Sequence, residues 1–377
     1  MGSSLAEQVT ARLDRARRAA ADAGVDALVI TPGPDLQYLA GVVKHSHERL
    51  SALVVPTGEH AAAAGDAAAF IVPRLERPGL DGSGVEKAGI RVLEWVDGED
   101  PHALAAACLD GVTRVALASD MPALHVLGLR AALPLAVQEL ATPVLRTLRM
   151  RKDPDEVDAL RRAGAAIDAV HAQVPGWLRP GRTEAEVGAD ITAAIVDAGH
   201  AEAAFVIVGS GPHGASPHHE VSDRVLEAGD VVVVDIGGPL PEGYHSDCTR
   251  TYAVGDPGDE VREVYAVLQR AQEAGVAAAG PGVSAESVDE AARAVIRDAG
   301  YGDFFVHRTG HGIGLEVHEE PYIVAGNDLV LVPGMAFSIE PGIYLPGRWG
   351  ARIEDIVVIT EDGCEQLNRR PRDLLTC

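Results

Sequence analysis

Two copies of one pattern constrain this chain more than any other feature. Pro180-Gly181-Arg182-Thr183 is followed by Val187 and by Asp197-Ala198-Gly199. Pro281-Gly282-Val283-Ser284 is followed by Val288 and by Asp298-Ala299-Gly300, each pair offset by the same 101 residues. Asp-Glu-Val, at 155–157 and 259–261, opens the helix expected before each copy. Thr183 and Ser284 stand where helix N-caps belong, and Thr183 with Glu186 makes a capping box. A duplicated helix–helix–strand unit implies two halves related by a pseudo-twofold axis, with a site where they meet.

The chemistry-bearing residues divide between those halves. In the first, VVVVDIGG carries Asp235 and YHSDCTRTY carries Asp247. In the second, HRTGHGIGLEVHEEP carries His311, FSIEPGIY carries Glu340 and ARIEDIVVI carries Glu354. The segment between Asp235 and Asp247 reads as a hairpin turn that returns Asp247 beside Asp235. Residues two apart in a strand share a face. His245, Asp247, Thr249 and Thr251 therefore lie together, as do Arg352, Glu354, Ile356 and Val358. Cys248 points the other way and reads as structural.

Taken singly, each acid could be an ordinary salt-bridged residue. Four carboxylates in apolar strands repel strongly unless a cation neutralises them. Four carboxylates and one imidazole form an oxygen-rich set suited to Mn²⁺, Mg²⁺ or Co²⁺. They are too many carboxylates for one tetrahedral zinc and suit two metals sharing bridging carboxylates. The glycines of TGHGIG are expected to let the backbone approach those metals. A phosphate-binding reading of this stretch fails, because it lacks the GK[ST] ending and a following helix signal.

In combination, DIGG…HSDCTRT, HRTGHGIGLEVHEEP, SIEPGIY and RIEDIVV resemble the pita-bread metallopeptidases, specifically the Xaa-Pro dipeptidase (prolidase) and aminopeptidase P branch. The likeness runs from about Arg149 to the end. It implies an α+β pita-bread catalytic domain with internal duplication. It also implies two divalent ions, Mn²⁺ foremost with Co²⁺ or Zn²⁺ as alternatives. Asp235 would chelate one ion, His311 and Glu340 would hold the other, and Asp247 and Glu354 would bridge them. Glu340 would also shuttle the proton from a metal-bridging hydroxide to the leaving nitrogen. His307 or His318 would polarise the carbonyl. His218 and Arg352 would position the proline end of a small peptide with proline second; His219, beside His218, reads as a satisfied polar group.

The length of 377 residues suggests two domains. A change of pattern at 143–153, closing on Asp153-Pro154 as N-cap and first helical residue, places a smaller α/β domain at 1–147, which the resemblance implies is creatinase-like, and the catalytic domain at 148–377. In the first domain, residues 5–23 read as a helix and 27–31 as a buried strand, with further strands in SALVVP, AAFIVP and RVALAS. His45, His47 and Glu48 read as a loop. In the second, a helix is expected over 154–178. A formal net charge of −24 argues against nucleic acid or an anionic membrane as partner. The four cysteines have no framework spacing, and there is no apolar leader or long apolar run. A cytoplasmic protein with reduced thiols is expected. Met1-Gly2 starts like a myristoylation signal, but Ala6 stands where Ser or Thr is required.

The resemblance further implies a homodimer in which the N-terminal domains pack together and wall off the site. Methionine aminopeptidases share the ligands but usually lack an N-terminal domain of this size and the arginine. Creatinase-like hydrolases lose ligands that are intact here, and non-enzymatic pita-bread binding proteins tend to lose ligands and add charged tails. A lyase relative on the same fold stays open. Dipeptidase is favoured over aminopeptidase, a distinction set by whether the space beyond proline is blocked.

Overall fold

The computed structural model describes residues 4–43, 48–63 and 68–377, and divides into units Met1–Arg149 and Met150–Cys377. The division falls just past the expected 147/148. His45 and His47 lie outside the described residues. Glu48 pairs with Arg49 at 2.7 Å.

The first unit is built around α1 (Leu5–Asp22), whose Ser4 and Glu7 complete a capping box. Strands β1 (Ala27–Ile30), β2 (Ala52–Pro56), β3 (Ala69–Pro73), β4 (Arg91–Trp95), β5 (Arg114–Leu117) and β6 (Val137–Leu140) form one mixed sheet in the order β4-β3-β2-β1-β5-β6. β1, β2 and β3 are buried along their whole length, as continuous Val/Leu/Ile runs require.

The second unit repeats its layout. The first repeat contributes α2 (Pro154–His171), α3 (Glu184–Asp197), β7 (Phe205–Ser210), β8 (Val231–Pro239) and β9 (His245–Ala253). The second contributes α4 (Asp259–Ala278), α5 (Ala285–Asp298), β10 (Gly310–Gly312), β11 (Glu319–Ile323) and β12 (Ala336–Ile339). It continues through β13 (Gly342–Leu345), β14 (Trp349–Arg352) and β15 (Asp355–Ile359). The sequence echo is also an echo of backbone bonds. Gly181 donates to the Leu226 carbonyl and Gly282 to that of Leu331, while Leu226 and Leu331 donate back to Arg182 and Val283. The echoed pair Val187 and Val288 are both fully buried, each in the apolar core of its own repeat.

Three local expectations change. The helix expected to reach residue 178 stops at His171. Pro175 has no N–H to offer the His171 carbonyl, which instead accepts from the Tyr252 hydroxyl at 3.2 Å. Thr183 makes its capping box, but the Ser284 hydroxyl pairs with Ser287 at 2.7 Å and does not cap. Arg352 and Ile356 lie on two strands in different sheets, with Ile353 and Glu354 at the break between them. That break sets the Glu354 amide against the Thr249 carbonyl, 3.1 Å away on β9.

Candidate metal centre

β8 and β9 form the expected hairpin, with Asp235 opposite Thr249 and Gly237 opposite Asp247. Asp235, Asp247 and Thr249 therefore share one face. From the second repeat, β10 carries His311, Glu340 follows β12, and Glu354 follows β14. Ligand atoms of Asp235, Asp247 and Glu354 lie within 4.8 Å of one another, as do those of His311, Glu340 and Glu354. The five expected ligands thus form two overlapping groups sharing Glu354. The His311 Nε2 stands 3.2 Å from Glu340 and 3.5 Å from Asp247.

Asp235, Glu354 and His311 are each held at one atom and present another to the site. Arg352 Nη2 donates to Asp235 Oδ2 at 2.5 Å, and the Thr249 hydroxyl donates to Glu354 Oε2 at 2.7 Å. The other oxygens, Asp235 Oδ1 and Glu354 Oε1, are buried with no hydrogen-bond partner, and so is Asp247 Oδ1. His311 Nδ1 faces the Gly312 carbonyl at 3.1 Å, which fixes that nitrogen as the donor and leaves Nε2 as a ligand. Burial, reinforced by neighbouring carboxylates, pushes the Asp247 and Glu354 pKa values well above the usual carboxylate range. Burial opposes ionisation of Glu340 too. The hydrogen bond with His311 and the nearby Arg352 charge outweigh it and hold Glu340 down at about 2. Orphaned buried oxygens and crowded acids are what a pair of divalent cations would satisfy, so the residues fit that group.

The glycines beside His311 serve a different purpose from the expected one. A Cβ at Gly310 would fall 1.8 Å from the Ser338 carbonyl oxygen, and one at Gly312 would fall 2.2 Å from that of Glu320. They admit the backbones of neighbouring strands, which in turn fix His311.

A cavity of about 1080 Å³ opens on this centre. His218, His307, His318 and Arg352 all line it, as expected. Ala204, Phe205, Val206, Ile207 and Val221 give it an apolar wall. The His318 ring meets that of His311 edge-on at 4.1 Å, and His318 groups with Asp247 and His311 as a further potential ligand. Burial, with the charges of His311 and Arg308, lowers the His318 pKa to about 4. His307 is also lowered by burial, so both rings are neutral at neutral pH. His219 is satisfied by Glu184 at 2.8 Å.

One participant escaped the sequence reading although its motif was noticed. The Tyr344 hydroxyl accepts from Arg352 Nη1 at 2.6 Å and lies 2.9 Å from His307 Nε2, joining His307 through Arg352 to Asp235. A tyrosine following an apolar strand signals a hydroxyl that needs a buried partner. Here the partner is a diagonal neighbour in the β13–β14 pair, where Tyr344 stands opposite Gly350 and Arg352 opposite Gly342.

The profile of metallopeptidase family M24 matches residues 158–361, and that of the creatinase/prolidase N-terminal domain matches residues 12–151. The chain belongs to metallopeptidase family M24. It is 60% identical over 371 residues to a probable dipeptidase PepE of Mycobacterium tuberculosis, covering 98% of this chain and 97% of that protein. A Xaa-Pro dipeptidase of Lactobacillus helveticus is 37% identical over 371 residues, covering 96% and 98%. The crystal structure of dipeptidase PepE from Mycobacterium ulcerans superposes with a TM-score of 0.93 at 56% identity, covering 100% of this chain and 99% of that one. The pita-bread catalytic unit behind a creatinase-type N-terminal unit is thus the family's architecture. The chain is a divalent-metal peptidase, and none of its described helices is long and apolar enough to cross a membrane.

Proposed function

We propose that this metallopeptidase is a Xaa-Pro dipeptidase, hydrolysing the bond between an N-terminal residue and a C-terminal proline. One observation carries the reading: three orphaned carboxylate oxygens converge, beside His311, on a cavity lined by four further histidines. The names borne by the relatives in M. tuberculosis and L. helveticus support the substrate class. Asp235, Asp247, His311, Glu340 and Glu354 would hold two divalent cations, with Mn²⁺ favoured by the oxygen-rich donors. When bound, such cations supply a water of lowered pKa and Lewis-acid polarisation.

The chain's own residues do the rest. Glu340 is held ionised, and its carboxylate takes the proton of the attacking water and passes it to the departing imino nitrogen. Neutral His318 offers an N–H to the developing oxyanion. His307, engaged at both ring nitrogens by the Arg308 carbonyl and Tyr344, steadies that wall. Arg352, bonded to Asp235, acts as a positioning residue. His218, exposed on the cavity rim, contacts the substrate. A cytoplasmic homodimer completes the reading, with the absence of disulfides among all four cysteines in keeping with that compartment.

The test uses chelator-stripped protein reloaded with Mn²⁺ or Co²⁺, offered Ala-Pro and Ala-Pro-Ala. Cleavage of Ala-Pro alone supports the dipeptidase. Preference for the tripeptide replaces it with an aminopeptidase, and hydrolysis of neither with metal bound ends the proposal. Glu340→Gln should lower kcat by at least about 10³-fold. Full turnover in that variant would remove Glu340 from the proton path.

A further inference from the structure

A dipeptide differs from every longer peptide in having a free carboxylate beside the scissile bond, its carbon about 2.5 Å from the scissile nitrogen. The sequence led us to expect Arg352 to meet that charge. The structure gives Arg352 other work. Its side chain is 2% exposed, and four of its N–H bonds are directed to Thr249 Oγ1, Tyr344 Oη, Asp235 Oδ2 and the Pro217 carbonyl. Its charge is already matched by a buried carboxylate.

Among the described residues lining the cavity, the other cationic side chain is Arg308. We propose that Arg308 binds the substrate's free carboxylate and so sets the preference for dipeptides, an inference that rests on the dipeptidase reading above. Arg308 stands two residues before β10, the strand that carries His311. Its guanidinium carbon lies 4.3 Å above the centre of the Tyr322 ring. Tyr322 pairs in register with His311 across β10 and β11, so the stacking platform shares a face with a metal ligand.

Stacking engages the face of a guanidinium and leaves its edge free, the geometry for a two-pronged bond to a carboxylate. No acidic side chain pairs with Arg308 among the described residues, although the chain has 56 acids against 32 basic residues. A half-buried arginine kept clear of carboxylates in so acidic a protein is available to a ligand's carboxylate. A C-terminal amide, or the next residue of a longer peptide, would present no such charge.

The test compares wild type, Arg308→Met and Arg308→Lys on Ala-Pro and on Ala-Pro-amide. Wild type should favour the acid through KM. Arg308→Met should raise KM for Ala-Pro at least ten-fold and bring the acid-to-amide preference close to one, while Arg308→Lys should keep part of it. Equal losses of kcat/KM on both substrates, or an unchanged preference, would overturn the proposal. A second readout needs no turnover: calorimetric binding, to Mn²⁺-loaded protein, of Ala-Pro isosteres with the peptide carbonyl replaced by methylene, ending in carboxylate or amide. If wild type hydrolyses neither substrate, the dipeptidase reading fails. The calorimetry still decides Arg308, because a carboxylate preference lost in Arg308→Met supports it and equal weakening of both ligands sinks it.

Discussion

Glu184 and the carboxylates of the candidate metal centre are buried in the same unit of the protein, yet their surroundings are opposites. Glu184 is fully buried at the start of α3 and accepts from the Ser210 amide, the Ser210 and Ser222 hydroxyls, and His219, at 2.6 to 2.8 Å, with His213 at 3.1 Å. Burial opposes its ionisation, but these bonds prevail and lower its pKa to about 2. Asp235, Asp247 and Glu354 each keep an oxygen with no donor at all. Glu184, His213 and His219 offer the donor types of a metal site, but both Glu184 oxygens are already bonded. A buried acid completed by its own protein is architecture. One left incomplete is a receptor for something the protein does not encode.

The strongest challenge to that contrast is removal of a metal ligand. His311→Ala should cut Xaa-Pro hydrolysis by at least about 10³-fold and reduce the metal retained after gel filtration, as read by elemental analysis. Normal metal content with normal turnover would mean that the two overlapping groups are not the centre.

Next in size is a pair of amide substitutions with opposite expected signs, measured by urea unfolding in excess chelator. Glu184→Gln removes the charge that five donors address and should cost about 3 kcal/mol. Glu354→Gln removes a like charge from a crowded site and keeps an acceptor for Thr249, so it should stabilise the metal-free protein by about 1 kcal/mol. If both variants lose stability equally, the distinction drawn above is wrong.

The most gradual effect, spread over several units, is in pH. His171 sits between Tyr252 and the Cys248 carbonyl, and burial with the Arg250 charge lowers its pKa from 6.5 to about 3. It is neutral when folded, so stability should fall by about 1.4 kcal/mol per pH unit below about 6.5, levelling near 3. Glu184, also depressed, adds a loss as pH drops from 4.5 toward 2. Asp247 and Glu354 are raised and act the other way: without metal, their contribution is lost as pH rises above about 4.5. Chelated and metal-loaded protein should therefore diverge with rising pH in unfolding titrations. Parallel curves would show that the acids are not crowded.

Much of this was legible in the chain itself. The duplication, the hairpin from Asp235 to Asp247 and the gathering of the five proposed ligands could be read because they depend on local pattern and on the two-residue period of strands. The partners of those ligands could not. Thr249 was on the right face, but its meeting with Glu354 spans the two repeats and depends on a strand break that a continuous RIEDIVVI run does not announce. Arg352 was placed at the site, but its bond to Asp235 was not foreseen. The glycines around His311 were correctly marked as close approaches, with the wrong neighbour, because the backbones of Ser338 and Glu320 arrive from elsewhere in the sheet.

The division of ligands between repeats has a consequence for how the molecule comes apart. Each repeat owns an apolar core, so either could in principle loosen while the other holds. Asp235 and Asp247 belong to one and His311, Glu340 and Glu354 to the other, so cations bound between them would couple the two halves' opening. Loaded protein then unfolds as one cooperative block, and stripped protein is free to fray half by half.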